Sequence, residues 1–369
     1  MTILYLGDTH IGNHVWSGGE MVAGINTRCR MILDAIEDTV IWARDNEAVT
    51  HVVQVGDFFD HCRPSGAVID AAIRMIQRTR VEWHILRGNH DMAGFDSPSA
   101  LAPLAHIDDV TTYEKITHAQ IDGVHHVMVP YVSHSAHEAF TAARAALDAM
   151  PVSPWEDADF IHLVSHYHVA LNDSGILRSD STTLATLDQM FKPVLGAMYR
   201  SISGHEHGNR YQTHTAHTGL GSFGNHSFAD CGPSLAVIAE HFPPSQFVAL
   251  GGIPRRNEVR FVDLTTWRNH YMAILSVVLG AQTSRMFVRC TPEQAPVCEA
   301  LKSVGIIQNY KVHFEPTISE PLPEASASQS LNPVDAIARA LSKMTKSSVD
   351  WQAVSDSALR IMSEVSGDN

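Results

Sequence analysis

Five short apolar stretches in the first two-thirds of the chain each run directly into Asp, Asn or His. Ile3-Leu4-Tyr5-Leu6 leads to Asp8-Thr9-His10, and Val52-Val53-Gln54-Val55 leads to Gly56-Asp57. Trp83, Ile85 and Leu86 lead to Arg87-Gly88-Asn89-His90-Asp91. Phe160-Ile161-His162-Leu163-Val164 leads to Ser165-His166-Tyr167-His168, and Tyr199-Arg200-Ser201-Ile202-Ser203 leads to Gly204-His205-Glu206-His207. Such short runs bounded by turn residues read as buried strands. Helical periodicity separates the first three. Asn26 can cap a helix to about Asp45, with Cys29, Ile32, Ile36, Val40 and Ala43 on one face. Ser65 can cap a second helix, with Ile69, Ala72, Ile73 and Ile76 as its stripe. Strands alternating with helices predict a layered α/β sheet. In such sheets ligand sites gather beyond the carboxyl ends of the strands, so the five polar ends are expected to converge.

The pattern continues with a short helix from Ser97-Pro98 through Leu104, strands near 113–118 and 125–132, and helices over 136–149 and 182–198. Strands near 234–241 and 257–264 are expected to finish this core, while 208–232 suggest no assignment. Residues 265–317 change character. Strands over 270–278, 284–290 and 310–315 around a helix at 292–303 predict a small α+β unit. The Pro-, Ser- and Ala-rich stretch 318–331 reads as a linker. Two amphipathic helices follow in 332–369, with Val334, Ile337, Leu341 and Met344 on the first and Val354, Ala358, Leu359 and Met362 on the second. A short helical pair cannot bury its own faces well, so it either docks on its own domain or holds a partner, and partner docking is the favoured reading. The expected division is therefore 1–264, 265–317, 318–331 and 332–369.

Composition narrows the class. Of 369 residues, 44% are hydrophobic, enough for a real core, and no run of eighteen apolar residues exists. The five scattered cysteines suggest a reducing compartment rather than a disulfide framework. With no signal-peptide pattern at the start, a cytoplasmic protein is expected. The formal charge of −14 argues against indiscriminate nucleic-acid binding. Two bound divalent cations would reverse the field locally. Arginines also cluster at Arg63, Arg74, Arg78, Arg80 and Arg87. With 23 histidines, any single one is more often structural than a ligand; His51, His84 and His162 read as ordinary.

The strand ends together carry Asp8, His10, Asp57, Asn89, His166, His205 and His207. Imidazole, carboxylate and amide oxygen together suit Mn²⁺, Fe²⁺ or Zn²⁺ better than Mg²⁺. Seven ligands are too many for one ion and suit two that share a carboxylate bridge, for which Asp57 is the candidate. Paired ions are a usual device of phosphoester hydrolysis. His90 is left over as a general acid for the leaving oxygen, and Asp91 could fix its tautomer. In the fourth block either His166 or His168 could be the ligand, with His166 favoured because it follows the strand directly.

This ordered set resembles the calcineurin-like metallophosphoesterase superfamily over residues 1 to about 210. The resemblance implies a four-layer α/β sandwich with a small α+β capping domain and a C-terminal helical tail. It also implies two divalent metals, expected to be Mn²⁺. One would take Asp8, His10, Asp57 and His207, and the other Asp57, Asn89, His166 and His205. Within the superfamily the chain is most similar to SbcD-like DNA-repair exonuclease subunits and their bacteriophage recombination-endonuclease relatives. That likeness rests on Gly56-Asp57-Phe58-Phe59-Asp60, the spacing to Gly88-Asn89-His90-Asp91, Pro130-Tyr131, and the layout of cap, linker and tail. It implies a DNA phosphodiesterase, exonucleolytic on duplex ends and endonucleolytic on single strands. It also implies a homodimer through helices near 66–80 and 97–105, and an SMC-like coiled-coil ATPase held by residues 332–369. The chain departs from the family after the last histidine pair, where only Gly219-Leu220-Gly221-Ser222-Phe223 stands for a Tyr-x-Gly-Ser-Pro-like stretch. Hydrolysis of small phosphodiesters, nucleotides or phosphoproteins is the alternative.

Overall fold

The computed structural model describes residues 2–15, 17–150, 161–171, 178–196, 199–206, 212–214, 217–220, 222–223, 236–240, 247–249, 258–266, 277 and 284–313. The chain divides into two compact units, Met1–Arg256 and Asn257–Asn369.

The first unit is built on two six-stranded sheets. In the first sheet, Thr2–Leu6, His51–Gln54, Glu82–Leu86 and Val110–Tyr113 run parallel in that order. Ala236–Glu240 joins Thr2–Leu6 antiparallel, and Phe247–Ala249 lies outside it. In the second sheet, Val124–Val129, Ile161–Ser165, Tyr199–Ser203 and His217–Gly219 run parallel, with Thr117–Ile121 and Gln212–His214 as antiparallel edges. The last two short strands, Gln212–His214 and His217–Gly219, fall in the stretch that suggested no assignment.

Side-chain alternation sorts each strand between two layers. Leu4 and Leu6 pack outward with the helices Thr27–Glu47 and Gly66–Thr79. Ile3 and Tyr5 pack inward with Met128, Val164 and Ile202 of the second sheet. The outer face of that sheet is covered by helices Ala136–Asp148 and Leu184–Leu195 through Phe140, Leu187 and Phe191. The result is the helix–sheet–sheet–helix sandwich that the resemblance implies. Helix starts follow the side-chain chemistry. Asn26 accepts the Cys29 N–H at 2.9 Å and Ser65 accepts the Val68 N–H at 3.3 Å. Residues 97–105 do not form the expected helix; they are turns leading to one 3₁₀ turn, Leu104–His106.

A polar network bridges the sheets inside the apolar seam. The Tyr5 hydroxyl lies 2.7 Å from His126 Nε2 and 2.6 Å from His162 Nδ1, with all three residues buried. His126 Nδ1–H donates to the Val124 carbonyl at 2.9 Å, which leaves Nε2 to accept from the phenol. His162 Nδ1–H then donates to the phenol oxygen, so neutral groups close the chain of hydrogen bonds.

In the second unit, Glu258–Asp263, Ser284–Cys290 and Asn309–Val312 form a parallel three-stranded sheet with helix Ala295–Ser303 packed on it. The strand expected near 257–264 to complete the first core pairs here instead. Parallel hydrogen bonding to Ser284–Cys290 gives it a partner that the local pattern does not reveal. The expected strand over 270–278, the linker 318–331 and the tail 332–369 fall almost wholly outside the described residues. Among the described residues no helix is long and apolar enough to cross a membrane.

Candidate metal centre

The turns after Thr2–Leu6, His51–Gln54, Glu82–Leu86, Ile161–Ser165 and Tyr199–Ser203 meet at one edge of the sandwich. Backbone bonds lock the first two together: the Thr9 and His10 N–H groups both donate to the Asp57 carbonyl, at 3.1 and 2.9 Å. His10, Asp57 and His205 have φ of 44°, 52° and 78°. Such left-handed conformations are uncommon for residues with a Cβ, and here three of them converge. Strain of this kind collects at functional sites.

Asp57 sits at the middle. Its carboxylate lies 3.3 Å from His166 Nε2 and 3.7 Å from His10 Nε2, and it accepts the His90 backbone N–H at 2.8 Å. Asp8, fully buried, accepts the His205 N–H with both oxygens, at 3.0 and 3.2 Å. The Asn89 amide oxygen lies 3.1 Å from His166 Nε2 and 2.9 Å from His205 Nδ1. Asp8, His10 and Asp57 thus offer one group of ligand atoms, and Asp57, His166 and His205 another. Asp57 is common to both, the position a bridging carboxylate needs. Burial alone would raise its pKa, but His166, His10 and His90 together hold it well below the carboxylate range. His166 Nδ1–H donates to the Val55 carbonyl at 2.8 Å and so aims Nε2 at the cluster. Burial disfavours the charged imidazole, yet Asp57 and Asp8 raise its pKa to about 9. A divalent cation would take the place of that proton.

His168 is not in the cluster; its Nδ1 lies 3.3 Å from the Ser181 hydroxyl. His166 is therefore the fourth-block residue that meets the others. His207 lies outside the described residues.

His90 is exposed at the rim, its ring edge-on to His10 with centroids 4.7 Å apart. Its Nδ1–H donates to the Asp60 carbonyl at 2.6 Å. The expectation that Asp91 fixes its tautomer is corrected here. Asp91 is fully buried, and its carboxylate accepts the Phe58, Phe59 and Gly88 N–H groups at 3.2, 2.9 and 2.9 Å. Adjacent residues of a turn point apart, so Asp91 ties two turns together beneath the site rather than touching the His90 ring. Burial and the nearby Asp57 raise its pKa to about 7.

Two residues escaped the sequence pattern. Asp180 Oδ2 accepts from His205 Nε2–H at 2.9 Å, which turns Nδ1 toward Asn89. This is the carboxylate–imidazole pairing that orients metal-binding histidines. Burial penalises the His205 charge first and neighbouring His166 adds to this, so its pKa is lowered. Asp60, noted only as part of a motif, faces His10 and His14 at 3.9 and 3.5 Å. The glycines before two ligands are steric necessities. A Cβ on Gly88 would fall 2.1 Å from Asp57 Oδ1, and one on Gly56 would fall 2.1 Å from His166 Nδ1.

Two buried carboxylates faced by imidazoles and an amide oxygen match the donor set of a borderline divalent cation. The residues therefore fit a dinuclear metal site, held by Asp8, His10, Asp57, Asn89, His166 and His205.

Residues 1–209 match the profile of the calcineurin-like phosphoesterase family. None of the curated proteins compared with the chain matches it. Among solved structures, a dimetal phosphatase from Danio rerio superposes with a TM-score of 0.43 at 15% identity, over 68% of this chain and 98% of that one. A 5′-nucleotidase precursor from Thermus thermophilus gives 0.38 at 12%, over 76% and 58%. An NAD nucleotidase from Haemophilus influenzae gives 0.36 at 11%, over 78% and 57%. Overlaps this partial carry no information on substrate.

Proposed function

The chain belongs to the calcineurin-like phosphoesterase family and is a metal-dependent hydrolase of phosphoesters, and from this premise we propose that its substrate is a phosphodiester of DNA, cleaved with two Mn²⁺ ions. The observation that carries the reading of an alkoxide leaving group, such as a DNA phosphodiester provides, is the setting of His90. A phosphodiester releases an alkoxide, which needs a proton as the bond breaks. The Asp60 carbonyl holds His90 Nδ1–H, so in the imidazolium form Nε2–H is the donor left at the open rim beside His10. Asp57 holds the His90 backbone in place, which couples the position of the acid to the metal cluster. When bound, the cations offset charge on the phosphate oxygens and lower the pKa of water.

The DNA part rests on the motif order and on an aromatic ledge. Phe95, an exposed large apolar residue at 38% relative accessibility, stacks on Tyr131 with centroids 6.2 Å apart. Tyr131 in turn lies 5.9 Å from the His205 ring. A base splayed beside the metals could stack there. The proposal also includes homodimer pairing and capture of an SMC-like coiled-coil ATPase by residues 332–369. Sedimentation of the chain, and co-purification with a purified ATPase with and without 318–369, test these.

Small phosphoesters are the alternative substrates. A cleft of about 480 Å³, lined by Glu37, Arg44, Arg74, Gln77, Arg78 and Arg80, offers them no subsite. Its lining includes none of the residues of the metal centre.

The test is cleavage of end-labelled duplex and single-stranded DNA with Mn²⁺, alongside bis-p-nitrophenyl phosphate and nucleotides, comparing wild type with His90→Gln. Loss of DNA cleavage in the variant is expected, with hydrolysis of the p-nitrophenyl ester much less affected, because p-nitrophenolate leaves without a proton. Ester turnover with intact DNA would move the assignment to small phosphodiesters.

A further inference from the structure

At the end of the first sheet opposite the metal centre, three ligand-type side chains meet. His51 and Glu82 open neighbouring parallel strands and are register partners, and His84 follows two residues on, on the same face as Glu82. His51 Nδ1 lies 3.3 Å from His84 Nε2 and 3.5 Å from Glu82 Oε2. One ligand atom from each residue lies within 4.8 Å of the others. The set is separate from the catalytic cluster, because Asp57 and Asn89 follow the carboxyl ends of the strands that His51 and Glu82 begin.

We propose that His51, Glu82 and His84 bind a divalent transition-metal cation of the zinc class, in a third metal site that clamps the two strands at their amino ends. Ligands at about 2.0–2.2 Å in a tetrahedron stand roughly 3.3–3.5 Å apart. The two distances from His51 Nδ1 match that edge. They are long for hydrogen bonds, whose usual N···O or N···N separation is about 2.9–3.0 Å. One nitrogen facing both an imidazole and a carboxylate can donate its single proton to only one of them, whereas a cation satisfies all three.

His84 is prepared for the role. Its Nδ1 lies 3.0 Å from the Tyr113 hydroxyl, and the two rings stack with centroids 6.0 Å apart. Nδ1–H donation to the phenol oxygen leaves the Nε2 lone pair aimed at His51, the orienting arrangement that metal-binding histidines use. His84 is buried, His51 half-buried and Glu82 exposed, so the site is anchored inside and open to solvent on the carboxylate side. Two imidazoles and one carboxylate with room for a water suit Zn²⁺ or Co²⁺ better than Mg²⁺ or Ca²⁺.

Equilibrium dialysis of the full chain against micromolar free Zn²⁺, with metal counted by mass spectrometry, tests the site. Glu82→Gln and His51→Gln are each expected to bind one equivalent fewer than wild type, with hydrolysis of bis-p-nitrophenyl phosphate in Mn²⁺ unchanged. Glu82 is exposed, so its substitution does not endanger folding, and the unchanged hydrolysis reports an intact catalytic unit. Wild-type stoichiometry in either variant would overturn the three-ligand site and leave the histidines as a hydrogen-bonded pair.

Discussion

The two ends of the first sheet hold similar ligand types in different settings. At the carboxyl end, ligands stand on turns, three of them in left-handed backbone. The imidazoles there are aimed by fixed acceptors: the ligands His166 by the Val55 carbonyl and His205 by Asp180, and the acid His90 by the Asp60 carbonyl. At the amino end, His51, Glu82 and His84 project from regular strand positions, and Tyr113 orients His84. Strained turns allow more ligands to converge on a point than a flat strand register can supply. The first arrangement can shape a reaction, while the second can only hold an ion.

Substitutions sharpen that contrast. Asp57→Asn removes the shared carboxylate and leaves its imidazoles uncompensated. Activity is expected to fall on the order of 10⁴-fold, with metal content of the catalytic cluster lost in the same dialysis assay. His90→Gln is expected to lower kcat on DNA by about 10²–10⁴-fold while the metals stay bound; unchanged kcat on DNA would remove it as the acid. Asp180→Asn is expected to cost about 10–100-fold in metal affinity, read from activity against free Mn²⁺. Phe95→Ala is expected to raise KM about tenfold for thymidine 5′-p-nitrophenyl phosphate, through lost base stacking. Methyl p-nitrophenyl phosphate should be unaffected, and equal effects on both esters would remove the ledge as a base platform.

Much of the catalytic edge is legible in sequence because the ligands closely follow five apolar runs, Asp8 and His10 sharing one, and the fold brings the run ends together. Six of the expected ligands, Asp8, His10, Asp57, Asn89, His166 and His205, meet there for that reason. Asp180 gave no such signal. It stands before Ser181–Thr183, a short strand without an apolar run, and reaches His205 only through tertiary structure. The acceptor for His90 is a backbone carbonyl, which no side-chain pattern reveals. Asp91 was misjudged because adjacency in sequence suggested contact, whereas the turn sends the two side chains apart. The His51–Glu82–His84 group depends on parallel register between strands, and the strand Glu258–Asp263 on a partner later in the chain; neither is a local property.

The Tyr5–His126–His162 bridge has a kinetic consequence. Its partners are 121 and 157 residues from Tyr5, and the Asp8 carboxylate waits for the His205 amide 197 residues away. This strand is therefore made well before the partners that answer its polar groups. Closing loops of this length slows folding, and unpaired strands are exposed to aggregation meanwhile. Until residue 205 has emerged, the nascent chain lacks its hydrolytic centre, so competence for metal would come late in this unit's folding rather than at its start.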